Sequence, residues 1–132
     1  MINNINMGKF YTCEPNLVGR LMETRIPIRV YIAGPITLGD TFLNVRDALL
    51  AADKVLAVKD IPFVPHMNSI WHLVSPHETK EWLDWDIQWL RVCHVIIRLP
   101  GESVGADLEV KEAKRLGIPV LTLEEYLEIR TK

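Results

Sequence analysis

The chain lacks most of the features that announce a specialised class. Only two cysteines occur in 132 residues, Cys13 and Cys93, and they do not form a CxxC pair. Neither a disulfide framework nor a structural zinc site is signalled, and a reducing, cytoplasmic setting is expected. Four histidines, His66, His72, His77 and His94, are too dispersed for HExxH or another ligand pattern, so no metal is expected. Fifteen Lys and Arg against seventeen Asp and Glu leave a net charge of -2 with no basic run, which argues against a nucleic-acid polymer or an anionic membrane as partner. No apolar run approaches the roughly 18 residues of a membrane span. Met1 to Gly8 is Asn-rich where an export signal needs a basic start and an apolar centre, so an unexported protein is expected. The patterns GxGxxG, GxxxxGK[ST] and GxSxG are all missing, and with them the fingerprints of dinucleotide, P-loop and serine-hydrolase chemistry. No cofactor is expected.

What is present is an ordinary globular composition. Hydrophobic residues make up 48% and charged residues 24% of a chain whose length suits one domain of about 150 residues, so it can bury a core of its own. Residues 1–27 lack sustained periodicity and read as an N-terminal extension, although Asn16 to Glu23 has the pattern of a short helix. The domain spans 28–132. It opens with Ile28-Arg-Val-Tyr-Ile-Ala33, a strand closed by the turn Gly34-Pro35. Asp40 or Thr41 then caps a helix whose apolar stripe is Phe42, Val45, Leu49, Ala52 and Leu56. Ile61 to Val64 suits an edge or second strand, and His66 to Leu73 reads as loop. Ser75-Pro76-His77-Glu78 has the form of a capping box that starts a helix running to about Val92, anchored by Trp82, Trp85 and Trp89. Val95 to Leu99 is a strand, Ala106 to Leu116 a helix ended by Gly117, Ile118 to Thr122 a strand, and Thr122 with Glu125 opens a last helix by a second capping box. Strands alternating with helices over short connections predict a single-domain, Rossmann-like (flavodoxin-like) α/β fold with a parallel sheet of about four to five strands and helices on both faces. Ligands of such sheets bind beyond the carboxyl ends of the strands, which singles out the loops Gly34 to Asp40 and Pro100 to Gly105.

Two carboxylates conflict with their surroundings. Asp86 lies three or four positions from Trp82, Leu83, Trp89 and Leu90 and projects from their apolar face. It either reaches the edge of the stripe and bonds a neighbouring backbone group, or it is a site acid. Glu109 shares its face with Ala106, Ala113 and Leu116 and points toward the sheet, about one turn inside a helix whose start follows the loop Pro100 to Gly105. Free amides there favour an ionised group, and the small residues Gly105 and Ala106 leave room for a ligand beside it. Ser103 as an N-cap requires no function, and the tryptophans are packing residues before they are stacking platforms.

The run Tyr31-Ile-Ala-Gly-Pro-Ile36, then Asn44, Pro65-His66, Asp86-Ile-Gln-Trp-Leu90 and Ser103-Val-Gly-Ala-Asp-Leu-Glu109, resembles the nucleoside deoxyribosyltransferase superfamily, including its deoxynucleoside monophosphate N-hydrolase branch and small phage-like members of unassigned function. The likeness covers about residues 28 to 122. It implies that Glu109 is the nucleophile at the sugar's anomeric carbon and that Asp86 binds sugar and assists the leaving base. Tyr31 then lies beside the nucleophile and crowds the sugar's second carbon, which implies a preference for deoxyribose. Gly34, Pro35 and Ile36 line the sugar and phosphate region with Asn44, His66, Ser103 and Gly105 as further binding positions, and the site is shared in a homodimer or a multiple of one. Two positions depart from the pattern: His94 stands where an aspartate is usual, and Thr37 replaces the arginine of the hydrolases. The second weakens the case for tight phosphate recognition.

The residue types suit the implied chemistry. Breaking an N-glycosidic bond develops oxocarbenium character at the sugar, which an adjacent carboxylate stabilises or captures as a glycosyl ester, while the base leaves with a proton from an acid. The expectation is an ionised Glu109 that attacks and an Asp86 of raised pKa that assists. The alternative is a module on the same fold that binds or senses nucleotide without turnover.

Overall fold

In the computed structural model, residues 22–132 are described. Four strands, β1 (Arg29–Ala33), β2 (Ile61–Phe63), β3 (Val95–Arg98) and β4 (Val120–Leu121), form one all-parallel sheet in the order β2-β1-β3-β4. Five helices connect and cover them: α1 (Thr41–Ala57), α2 (Asn68–Val74), α3 (Thr79–Leu90), α4 (Val104–Arg115) and α5 (Leu123–Arg130). This is the expected single-domain Rossmann-like α/β fold with four strands, and the strand order is that of flavodoxin-like doubly wound sheets. The expected helix at Asn16 to Glu23 lies largely outside the described residues; Met22 and Glu23 are helical.

Alternation along the strands divides the core. Val30, Ile32, Val95 and Ile97 face α1 and α5, while Tyr31, Ala33 and Ile96 face α3 and α4. The helix starts follow the sequence where short polar side chains satisfy free amides. Asp40 Oδ1 accepts from Leu43 N at 3.1 Å, Ser103 Oγ accepts from Ala106 N at 3.1 Å, and Thr122 and Glu125 form a reciprocal capping box.

Three expectations are corrected. Of the expected stripe Phe42, Val45, Leu49, Ala52 and Leu56 only Ala52 is buried, and the sheet takes α1 by Ala48, Ala51, Ala52 and Val55; small side chains let the helix approach the strands, and Phe42 stays 88% exposed. His66 to Leu73 is not loop but a 3-10 turn, Pro65–Met67, followed by α2. No residue of α2 is buried, so it leaves no apolar periodicity to read. The capping box at Ser75 does not form, because Ser75 closes α2 through its backbone N–H to Trp71 O, and α3 starts at Thr79.

At the amino end of the sheet, Asp60 is wholly enclosed by donors. It accepts from Ile28 N at 3.0 Å, Tyr126 Oη at 2.5 Å, Arg130 Nε at 2.8 Å and Arg130 Nη2 at 2.7 Å. Arg130 donates in turn to the carbonyls of Met22, Thr24 and Ile26, tying that segment to α5 and the start of β1. Removing one partner of a buried pair strands the other charge, so Arg130→Met is expected to lower the unfolding free energy by about 3 to 5 kcal/mol. Urea denaturation checks this, and a loss below about 1 kcal/mol would show that Asp60 is satisfied without the guanidinium.

Candidate active site

Connections diverge at the carboxyl ends of β1 and β3, one leading outward to β2 and the other to β4. A crevice forms at such a switch point. The two loops that border it are built against each other. A Cβ on Gly34 would lie 3.0 Å from Leu99 Cβ, and Gly101, at φ +111°, would bring a Cβ within 2.7 Å of Pro35 Cγ. The first loop is pinned from below by Asn44, whose Nδ2 donates to Ile36 O at 3.0 Å and Leu38 O at 2.7 Å. It is held from the side by the fully buried His66, whose Nε2 donates to Pro35 O at 3.0 Å. Burial lowers the His66 pKa, and its Nδ1 is buried with no partner among the described residues.

Both suspected carboxyls are buried, Asp86 on α3 and Glu109 on α4. The Tyr31 hydroxyl donates to Glu109 Oε2, and Asn68 Nδ2 at the start of α2 donates to Asp86 Oδ1 at 2.7 Å. Between them runs an aromatic series. The Tyr31 ring lies 5.5 Å from Phe63, which stacks at 5.4 Å on Trp89, one turn beyond Asp86. Desolvation pushes Asp86 up to about 7 against the opposing pull of the Asn68 bond, and it pushes Glu109 up to about 8.

The second value corrects the expectation of an ionised Glu109. The free amides of a helix belong to its first turn, and Glu109 lies beyond them, behind Val104 to Leu108, where Ser103 already serves Ala106. Nothing there offsets its burial except Tyr31.

The remaining expected positions divide by their local roles. Ser103 caps α4 through its oxygen, which accepts from Ala106 N, and keeps its O–H and a second lone pair to offer. A Cβ on Gly105 would meet nothing within 4 Å, so packing does not demand glycine and the space beside it is open. Thr37 is exposed, and His94 lies at the opposite end of the sheet, where its Nδ1 accepts from Arg29 N at 3.0 Å. Asn68 and Phe63 were not legible as site residues: Asn68 falls in the stretch read as loop, and Phe63 reads as ordinary strand. Arg98 was also missed. It lines a 400 Å³ concavity with Pro100, Gly101, Thr122 and Glu124, and its guanidinium donates to Gly101 O at 2.9 Å and Asp107 Oδ1 at 3.1 Å. Neither Asp86 nor Glu109 lines that concavity. Among the described residues no three His, Cys, Asp or Glu side chains gather as a metal site.

Fold and site together define a doubly wound parallel α/β domain with two buried, sparsely bonded carboxyls on the helices that cover one face of the sheet. The family described as a domain of unknown function (DUF7768) matches residues 28–123, and the chain belongs to it. No curated protein and no solved structure matches the chain.

The raised values fix a pH dependence. Burial raises Glu109 to about 8 in the fold against 4.5 in the unfolded chain, and Asp86 to about 7 against 3.8, so the folded protein binds their protons more tightly than the unfolded chain does. The stability they confer is complete below about pH 4 and is lost as pH rises toward 8. Unfolding free energies at pH 5 and pH 8.5 are expected to differ more in the wild type than in Glu109→Gln, by roughly 4 kcal/mol. Equal pH slopes for the two proteins would mean that Glu109 is solvated.

Proposed function

We propose that the protein cleaves or transfers at the N-glycosidic bond of a (deoxy)nucleoside or nucleoside monophosphate, with Glu109 as nucleophile and Asp86 as acid. The observation that carries this reading is the pair of desolvated carboxyls, each with a single neutral donor, on the helices flanking the Tyr31–Phe63–Trp89 series. Leaving two carboxyls in that state destabilises the fold, and no ion pair recovers the cost. Such a sacrifice is characteristic of sites whose missing partner is a ligand.

In the reaction, ionised Glu109 attacks the anomeric carbon as the C–N bond breaks. The bonding pair leaves with the base, which takes the proton of Asp86. Water or a second base then attacks the glycosyl ester, giving up a proton to the Asp86 carboxylate, and the ester bond breaks to regenerate the Glu109 carboxylate, with net retention at the sugar. Tyr31 supports the ionised form of Glu109 by donating to it, and its position beside the nucleophile favours a sugar with no hydroxyl on its second carbon. The resemblance to the nucleoside deoxyribosyltransferases adds a homodimer or a multiple of one, and the sparse cysteines without CxxC spacing support a reducing, cytoplasmic compartment.

One observation favours the other reading, a module that binds nucleotide without turnover. Glu109 is mostly protonated at neutral pH, and a resting nucleophile in that state is inactive.

Incubation with a panel of deoxyribo- and ribonucleosides and their monophosphates, with free base followed by chromatography, separates the two. Base release is expected, faster from deoxyribose. Glu109→Gln is expected to lower it by at least about a thousandfold, and Tyr31→Phe to narrow the sugar preference by about 1 to 3 kcal/mol. Saturable binding without released base would establish the module, and Glu109→Gln activity within about tenfold of wild type would remove Glu109 from the mechanism.

A further inference from the structure

Of the five described helices, α2 alone buries no residue, yet its first residue reaches a buried acid. Asn68 opens α2, and its backbone is fixed from behind: its N–H donates to the carbonyls of Pro65 and His66, both buried, and Ser69 Oγ donates to His66 O at 2.7 Å. The aromatic contacts of α2 fall on the stretch of α3 that leads into Asp86. The Trp71 ring centroid lies 5.3 Å from that of Trp82 and 5.7 Å from that of Trp85, and Trp82 Nε1 donates to His72 Nδ1 at 3.0 Å. Helix α2 therefore has no part in the core, and what holds it is set beside Asp86. Among the described residues the Asn68 carboxamide makes one hydrogen bond, from Nδ2 to Asp86 Oδ1 at 2.7 Å, and the Asp86 side chain makes no other.

Such a bond acts differently on the two states of the acid. With Nδ2–H on Oδ1, the proton of the neutral carboxyl sits on Oδ2, so one oxygen holds the carboxyl in place and the other gives the proton. When the proton leaves, the donor faces a carboxylate, and a hydrogen bond to a charged oxygen is about twice as strong as one to a neutral oxygen. Support that grows as the proton moves lowers a barrier, whereas equal support of both states does not. The opposing pull of Asn68 on the Asp86 pKa has this direction.

We propose that Asn68 is the positioning residue of the acid step: it holds Asp86 by Oδ1, leaves Oδ2 to give the proton to the departing base, and meets the charge that stays behind. As the C–N bond breaks, its electron pair goes to the base nitrogen and that nitrogen takes the Oδ2 proton. The carboxylate left on Asp86 rests on the Asn68 N–H until the incoming water or second base returns a proton. This role rests on the reading of Asp86 as acid, and a titration that needs no activity separates the two.

Asn68→Leu keeps the volume and removes the donor. In the full chain the Asp86 carboxyl, followed by carbon-13 NMR, should titrate about 1 to 2 pH units higher in the variant than in wild type, with the circular dichroism unchanged. Asn68→Leu should also lower kcat for base release from a deoxynucleoside at least about tenfold, with KM within about threefold. On 4-nitrophenyl 2-deoxyriboside, whose leaving group departs without a proton, it should stay within about threefold of wild type. Asn68→Ala, which removes the same donor, should behave alike. An Asp86 titration that neither variant moves, or an equal loss on both substrates, would overturn the role of Asn68 while base release by the wild type leaves the functional reading intact. A wild type that releases no base would overturn that reading and this role with it.

Discussion

Everything at the amino end of the sheet hangs on the Asp60 carboxylate. Its four bonds join the start of β1, the turn after α1 and the last helix, and Arg130 extends the same knot to the carbonyls of Met22, Thr24 and Ile26. Residues distant in the chain, up to 108 apart, are fixed there in a single arrangement. The knot lets a four-stranded sheet with short outer strands close its core, because the first strand and the last helix are held by directional bonds as well as by apolar contact.

The same residue type behaves differently at the other end. Asp60 has a guanidinium, a phenol and an amide around it; Asp86 has one carboxamide and Glu109 one phenol. A buried carboxylate with a full set of donors is accounted for by the fold. One with a single neutral donor is not, and its raised pKa records the deficit. The Tyr31 hydroxyl matters here, since among the described residues it is the one side chain bonded to Glu109. Among the described residues, the Nδ1 of His66, behind the loop from Gly34, is the one buried side-chain polar atom without a partner, and it lies at the same edge.

Much of this was legible in the sequence, for identifiable reasons. The strands that are buried on both faces read as unbroken β-branched runs, and the caps Asp40, Ser103 and Thr122 mark helix starts by local chemistry alone. Asp86 and Glu109 were visible because a charge on an apolar helix face violates the pattern around it. What stayed hidden depends on contacts between distant residues. Helix α1 presents two apolar faces, and only the packed sheet decides that the one with small residues turns inward. Helix α2 buries nothing, so its Asn68 could not be recognised as the donor to Asp86. The ionisation of Glu109 was misread because helix-start amides were credited to a residue that lies beyond them.

The central claim is that Glu109 becomes covalently bonded to a sugar carbon. Fluorine on the sugar's second carbon slows both steps of such a reaction by destabilising the oxocarbenium-like transition state, and with a good leaving base the glycosyl ester accumulates. Mass spectrometry of the protein after incubation with such a fluorinated nucleoside measures this directly. The account predicts a mass gain equal to the fluorinated glycosyl group, mapped by peptide sequencing to Glu109 and absent from Glu109→Gln. An adduct on another residue, or base release from the unmodified nucleoside with inversion at the anomeric carbon, would contradict it.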